Sequence, residues 1–144
     1  MTYSVSTDKA KLDRALIHRF LTTSYWAEGR SREIVDASIK GSLCFGVYAE
    51  HDRGDEQVGF ARVVTDYATS AYLGDVFVVG AHRGKGLSKR LLRAVLGHPD
   101  LQTCSWTLFT KDAHGLYAQF GFERPANPER LMRRRSVGAV PLPD

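Results

Sequence analysis

The sequence predicts an α+β domain built on a mixed sheet. Three observations point there: two stretches with apolar residues at helical spacing near the N-terminus, two strand-like runs joined by a polar turn, and an alternation of helix and strand after them. The 144 residues, 43% of them hydrophobic, suit one core, so residues 1–144 are expected to form a single domain.

Taken in order, Tyr3 to Val5 is a short strand that ends at Ser6, Thr7 and Asp8. Leu12, Leu16, Ile17, Phe20 and Leu21 recur with charges between them and predict a helix from Lys9 to Thr23. The segment Ser24 to Arg30 interrupts it. Ser31 then N-caps a second helix that carries Ile34, Val35 and Ile39 and stops at Gly41. Leu43 to Ala49 and Gln57 to Thr65 read as a hairpin across the polar stretch Glu50 to Asp55, and Ala71 to Val79 as a third long strand. A helix from Gly84 to Leu96 is closed by Gly97, His98 and Pro99. Trp106 and Leu108 alternate with Thr107 and Phe109 in a further strand, and Asp112 is expected to cap the next helix. Arg130 to Arg135 has the look of an edge strand, with a loose Gly/Pro-rich end beyond it.

The chemistry concentrates in Val76 to Leu92, VFVVGAHRGKGLSKRLL. An apolar run breaks at Gly80 and resumes after Arg83-Gly84-Lys85-Gly86, with Leu87, Leu91, Leu92 and Val95 at helical spacing. That is strand, tight loop, helix. Glycines let the backbone approach a ligand, and the free N–H groups and positive dipole end of the helix lie behind them, so the loop suits an anion, most naturally a phosphate. A P-loop is excluded, because only three residues separate Gly80 from Gly84 and Lys85 is followed by Gly86. A dinucleotide fingerprint from Gly84 fails at Lys89, where glycine or alanine is needed.

What fits is Arg-x-x-Gly-x-Gly/Ala, here Arg83-Gly84-Lys85-Gly86-Leu87-Ser88, joined downstream by Ala113, Leu116, Tyr117 and Gly121-Phe122. Together these motifs resemble the coenzyme A loop and following helix of the GNAT-type N-acetyltransferases, over roughly Leu43 to Phe122. Ser88 replaces the last small residue of the loop, Gly80 stands where proline is usual, and Thr110 where asparagine is usual. The resemblance implies a GNAT-like, mostly antiparallel central sheet with helices on both faces. The strands carrying Val76 to Val79 and Trp106 to Thr110 would splay apart, and acetyl-CoA would sit in the gap.

The implied reaction is acetyl transfer from the thioester to a primary amine of a small molecule or protein. The amine must lose a proton, the oxyanion must be held, and the thiolate benefits from an acid. A backbone N–H near Phe77 or Val78 would meet the oxyanion, and Val79 and Thr110 would line the coenzyme. The amides of Gly84, Lys85, Gly86, Leu87 and Ser88 would take the pyrophosphate, with Arg83 and Lys85 adding charge or standing as solvated loop residues. Tyr117 matches the family's general acid; an amphipathic core tyrosine is the alternative. Asp75, a carboxylate in an apolar strand, reads either as a base acting through water or as a structural partner. Tyr25, Trp26, Arg30, Arg62, Asp66 and Tyr67 are candidates for the acceptor pocket, where the family builds it.

Composition bounds the alternatives. Twenty basic residues against 16 acidic ones give a formal charge of +4, which suits a polyphosphate cofactor and also suits nucleic acid. The basic residues are scattered, however, with no aromatic and basic platform in a strand, so no nucleic-acid partner is expected. No apolar stretch reaches a membrane span and MTYSVSTDKAK lacks the apolar core of a signal peptide, so a cytoplasmic protein without a membrane partner is expected. Cys44 and Cys104 have neither metal spacing nor a disulfide framework, and read as small buried residues. Monomer and homodimer both remain open. A coenzyme A-binding sensor without catalysis and a small basic nucleic-acid-binding domain are the competing readings; the first is disfavoured by Tyr117 with a complete loop, and the second explains neither motif.

Overall fold

Polar residues decide where the first helix begins. In the computed structural model, which describes residues 1–136 and 141–144, β1 (Tyr3–Ser6) is followed by a 3-10 turn at Lys9–Lys11 and only then by α1 (Arg14–Thr22). The helix expected from Lys9 is therefore split. Asp8 accepts from the Ala10 N–H and Asp13 from the Leu16 N–H, and both cap positions hold their own backbone extended. Short polar side chains at such positions compete with helical hydrogen bonding. The Asp13 N–H also donates to Gln57 Oε1 at 2.6 Å, which ties the start of α1 to the sheet. Ser31 caps α2 (Arg32–Lys40), accepting from Ile34 N–H, and Gly41 ends it, both as expected.

The strands β2 (Leu43–Ala49), β3 (Glu56–Thr65) and β4 (Ser70–Val78) form an antiparallel meander, and β5 (Ser105–Leu108) adds to β4 in parallel, giving the order β1-β2-β3-β4-β5. Helices cover both faces. Ile17 and Leu21 of α1 and Val35 and Ile39 of α2 pack with Cys44, Phe60 and Phe77 on one face. Because successive strand residues point to opposite sides, Phe45 faces the other way, and its ring meets His98 just beyond α3 (Leu87–Leu96). Leu91, Leu92 and Val95 of α3 are fully buried. Each such side chain stabilises the fold by roughly 1.5–3 kcal/mol.

The helix expected from Gly84 begins at Leu87 instead. Gly84 and Gly86 have φ of +78° and +74°, a left-handed backbone that glycine adopts freely and an α-helix excludes.

Residues Met1–Lys111 form one compact unit and Asp112–Asp144 another. In the second, α4 (His114–Ala118) is N-capped by Ala113 with no side-chain bond, so Asp112 does not cap it as expected. The ring of Tyr117 meets that of Phe122 edge-on at 5.9 Å, and the Phe122 N–H donates to the Tyr117 carbonyl. The edge strand expected over Arg130 to Arg135 does not form: Arg130 closes a 3-10 turn, Pro128–Arg130, and residues 131–135 are exposed without regular structure. Its two apolar residues, Leu131 and Met132, are adjacent rather than alternating, so a strand there would have no face to bury. Of the Gly/Pro-rich end, residues 137–140 lie outside the described residues.

Candidate functional site

The parallel pairing of β4 with β5 runs from Ser70 opposite Ser105 to Leu73 opposite Leu108 and then stops, while β4 continues to Val78. Among the described residues, Gly74 to Val78 therefore present an edge that no strand pairs, roughly 16 Å long. On its other side β4 stays bonded to β3. Phe77 lies opposite Phe60, and the Val79 N–H donates to the Val58 carbonyl at 2.8 Å. Backbone direction alternates along a strand, so Phe77 and Val79 direct their amides to β3 and Val78 directs its amide to the open edge. Of the two amides expected near an oxyanion, Phe77's faces β3 and Val78's faces that edge. Val79 joins the site through its chain position and not through a free amide. Thr110 lies half-buried just past β5.

From β4 the chain makes a 3-10 turn at Gly80–His82 and enters the loop ahead of α3. Arg83 reaches back, its Nε donating to the Val78 carbonyl at 3.0 Å, so at least part of its guanidinium serves the loop itself. Beyond it, the backbone N–H groups of Gly84, Lys85, Gly86, Leu87, Ser88 and Lys89 have no acceptor among the described residues, and the next amide, Arg90, bonds the Gly86 carbonyl. The N-cap Gly86 offers no side chain to close the helix end. At both Gly84 and Gly86 a Cβ would meet nothing within 4 Å, so open space lies over the loop. This donor set fits the coenzyme's pyrophosphate: consecutive amides at the positive end of a helix dipole, without a competing acidic side chain.

Asp75 sits in a different setting. Phe60 pairs with Phe77 and Arg62 with Gly74, so Ala61 of β3 faces both Asp75 and Val76 of β4, a β-bulge. Asp75 takes φ +54°, a conformation to which aspartate adapts better than most residues. Its side chain is 3% exposed. Oδ1 accepts from the Trp26 indole N–H at 3.0 Å, and Oδ2 accepts from Arg30 Nη1 and Arg62 Nε, each at 2.8 Å. Arg62 Nη1 also donates to Ser42 Oγ at 3.1 Å. Sequence reasoning missed this network and the part of Ser42 in it. The signal was Gly74, since a glycine inside a strand often marks a bulge.

Of the acceptor candidates, Trp26, Arg30 and Arg62 are thus brought together around Asp75. Tyr25 adjoins them, its ring 5.2 Å from that of Trp26 and its hydroxyl accepting from the Lys111 N–H. Phe20 stacks on Phe77 at 4.0 Å beneath Trp26. Asp66 and Tyr67 are not part of this group. They form the turn between β3 and β4, at the far end of β4 from its free edge and about 16 Å from Asp75. Asp66 accepts from the N–H groups of Ala68, Thr69 and Ser70 and from the Thr69 hydroxyl, which holds its carboxyl well below the usual carboxylate range. That makes it a turn residue.

Cys44 is buried, and burial pushes its thiol up; Cys104 is half-buried, and both are free. Tyr117, in the second unit, is 9% exposed. No helix among the described residues is long and apolar enough to cross a membrane.

A mixed sheet that opens between β4 and β5, with a run of amides that have no acceptor among the described residues where β4 leads into α3, is the arrangement that the resemblance to acetyltransferases implies. Comparison with known proteins agrees. The sequence model of the acetyltransferase (GNAT) domain matches residues 41–124. A Gibberella zeae protein named provisionally as an acetyltransferase is 30% identical over 81% of this chain and 76% of its own length. A Xanthomonas campestris pv. campestris crystal structure, described provisionally as an acetyltransferase of the GNAT family, is 50% identical, with a TM-score of 0.88 over 96% of each chain. Glucosamine-6-phosphate N-acetyltransferase from Arabidopsis thaliana shares the fold at a TM-score of 0.64, with 15% identity over 95% of this chain and 99% of its own. The chain belongs to the GNAT acetyltransferase family, whose general reaction is acetyl-CoA-dependent acetyl transfer.

Proposed function

We propose that the protein is an N-acetyltransferase that moves the acetyl group of acetyl-CoA directly to a primary amine of a small molecule or protein. The observation that carries this reading is the run of amides from Gly84 to Lys89 without acceptors among the described residues, next along the chain to the edge of β4 that β5 leaves unpaired. When bound, acetyl-CoA supplies an acetyl group activated as a thioester. The amides of Gly84 to Ser88 bind the pyrophosphate, and Lys85, exposed on the loop, adds positive charge. The Val78 N–H polarises the carbonyl and holds the negative charge that develops on its oxygen. Tyr117, matched by motif, donates a proton from its hydroxyl to the departing thiolate.

Asp75 acts as a positioning residue. Three charged or polar donors occupy its oxygens and its side chain is 3% exposed, so an ammonium has little access to it. The residue instead fastens Trp26 and Arg30, from the segment between α1 and α2, to the bulge in β4.

A panel of amines assayed for coenzyme A thiol release tests the reading, with thermal melting in parallel. Free coenzyme A should raise the melting temperature in a concentration-dependent way because it binds the native state, and a random oligonucleotide should not. Stabilisation by the oligonucleotide alone would instead support the nucleic-acid-binding reading.

A further inference from the structure

Resting on the acetyltransferase reading, we propose that the acceptor is a small amine that also carries an anionic oxygen group, a carboxylate or a phosphate, and that Arg30 seats that group. Two guanidiniums converge on one carboxylate at Asp75, so the cluster keeps one positive charge in excess. Arg62 is engaged at both ends, by Asp75 and by Ser42. Arg30 gives Asp75 its Nη1 alone; Nε and Nη2 form the other edge of the guanidinium and have no acceptor among the described residues. The Arg30 side chain is 22% exposed. A guanidinium edge that is partly desolvated, fixed by an ion pair and still carries two N–H donors matches a planar oxyanion in a bidentate pair.

The surroundings suit a small molecule. Trp26 and Tyr25, 40% and 57% exposed, form an aromatic wall beside Arg30, and the indole is fixed by its bond to Asp75. Such rings present large apolar area at little entropic cost. Asp75 precedes Val78 by three residues of strand, about 10 Å, so an amine at the Val78 amide and an anion at Arg30 fit within one short molecule. An arginine that only braced the loop would make binding indifferent to the charge of the acceptor.

The test uses pairs of ligands that differ by one anionic group, titrated by calorimetry into protein loaded with coenzyme A: 3-phenylpropanoate against 3-phenylpropan-1-ol, and phosphoethanolamine against ethanolamine. The anionic member of a pair should bind wild type about tenfold tighter or more. Arg30→Met should erase that preference and Arg30→Lys restore part of it, and added salt should weaken the anion alone. The pair that responds separates carboxylate from phosphate. In turnover, Arg30→Met should raise KM for the charged amine and leave kcat nearly unchanged. Equal binding of charged and neutral members by wild type, or a preference that survives in Arg30→Met, overturns the assignment. Melting with coenzyme A on each variant separates the two failures: loss of the coenzyme response sinks the acetyltransferase reading, whereas an intact response with no charge preference sinks only the seat at Arg30.

Discussion

The loop ahead of α3 and the bulge within β4 lie close in sequence and treat their polar groups in opposite ways. From Gly84 to Lys89 the backbone donors face no acceptor among the described residues, and residues 83–86 are exposed. At Asp75, 5% exposed, both carboxylate oxygens are engaged by Trp26, Arg30 and Arg62. An unpaired donor at the surface is solvated and costs little, and a ligand can replace the water. A buried charge must be paired within the protein. Among the described residues the first region therefore leaves a run of donors open, whereas the second commits Asp75 and Arg62 to holding the chain and leaves the Nε and Nη2 edge of Arg30 open.

Neither region supplies a proton to a leaving thiolate, which is the role proposed for Tyr117 and the source of the largest expected effect. Tyr117→Phe keeps the ring and its contact with Phe122, so the melting temperature and coenzyme affinity should change little while kcat falls by roughly 10² to 10⁴. Wild-type turnover in steady-state kinetics would assign Tyr117 to packing. A variant that no longer binds coenzyme would make it a ligand instead.

Next in size is Asp75→Ala, which leaves two guanidiniums, 22% and 14% exposed at their side chains, facing each other without a counter-charge. Removing one partner of a buried ion pair costs about 3–5 kcal/mol, and urea denaturation would read it. Asp75→Asn sharpens the contrast with the catalytic alternative: both roles predict lost stability, but a positioning role predicts a raised KM with kcat largely kept, whereas a base predicts lost kcat.

The smallest effect concerns Asp66, outside both regions. Its carboxyl, with an ordinary value of 3.8, is lowered in the folded protein, first by the Thr69 hydroxyl and then by backbone N–H groups. The folded state therefore binds that proton more weakly than the unfolded chain. Its stabilising contribution is fully present above pH 3.8 and fades as the pH falls through the lower, folded value. Melting curves of wild type and Asp66→Ala should differ modestly at pH 7 and draw together at acid pH. A gap that widens on acidification would contradict this.

Much of the fold was legible because it depends on patterns local to each element. The strand-like run Leu43 to Ala49 marked β2, helical spacing at Leu87, Leu91, Leu92 and Val95 marked α3, and Ser31 marked the start of α2. The start of α1 was misread although its signal is local: Asp8 and Asp13 can both cap, and the helix begins only after the second, whose N–H is also held by Gln57. The anion loop could be read from its glycines, although both were assigned to the helix they precede. The Asp75 cluster was read only as a set of separate candidates. Its assembly depends on a register shift between β3 and β4 and on a segment 45 residues upstream, and no local spacing encodes either. That Asp66 stands apart from this cluster was illegible for a related reason: its turn lies at one end of β4 and the edge that β5 leaves unpaired at the other, a separation that shows only once the parallel pairing with β5 is known.

The central claim is that the free amides at the start of α3 seat the coenzyme's phosphates, and calorimetric titration of acetyl-CoA into wild type and Gly86→Glu tests it most directly. The glutamate would place a negative charge and a side chain in the space now open over the loop, at a φ of +74°. Wild type should bind one equivalent, and the folded variant should bind well over tenfold more weakly, a loss of about 1.4 kcal/mol or more. Equal affinity in a variant that keeps its fold would contradict the claim and send the phosphates elsewhere on the protein.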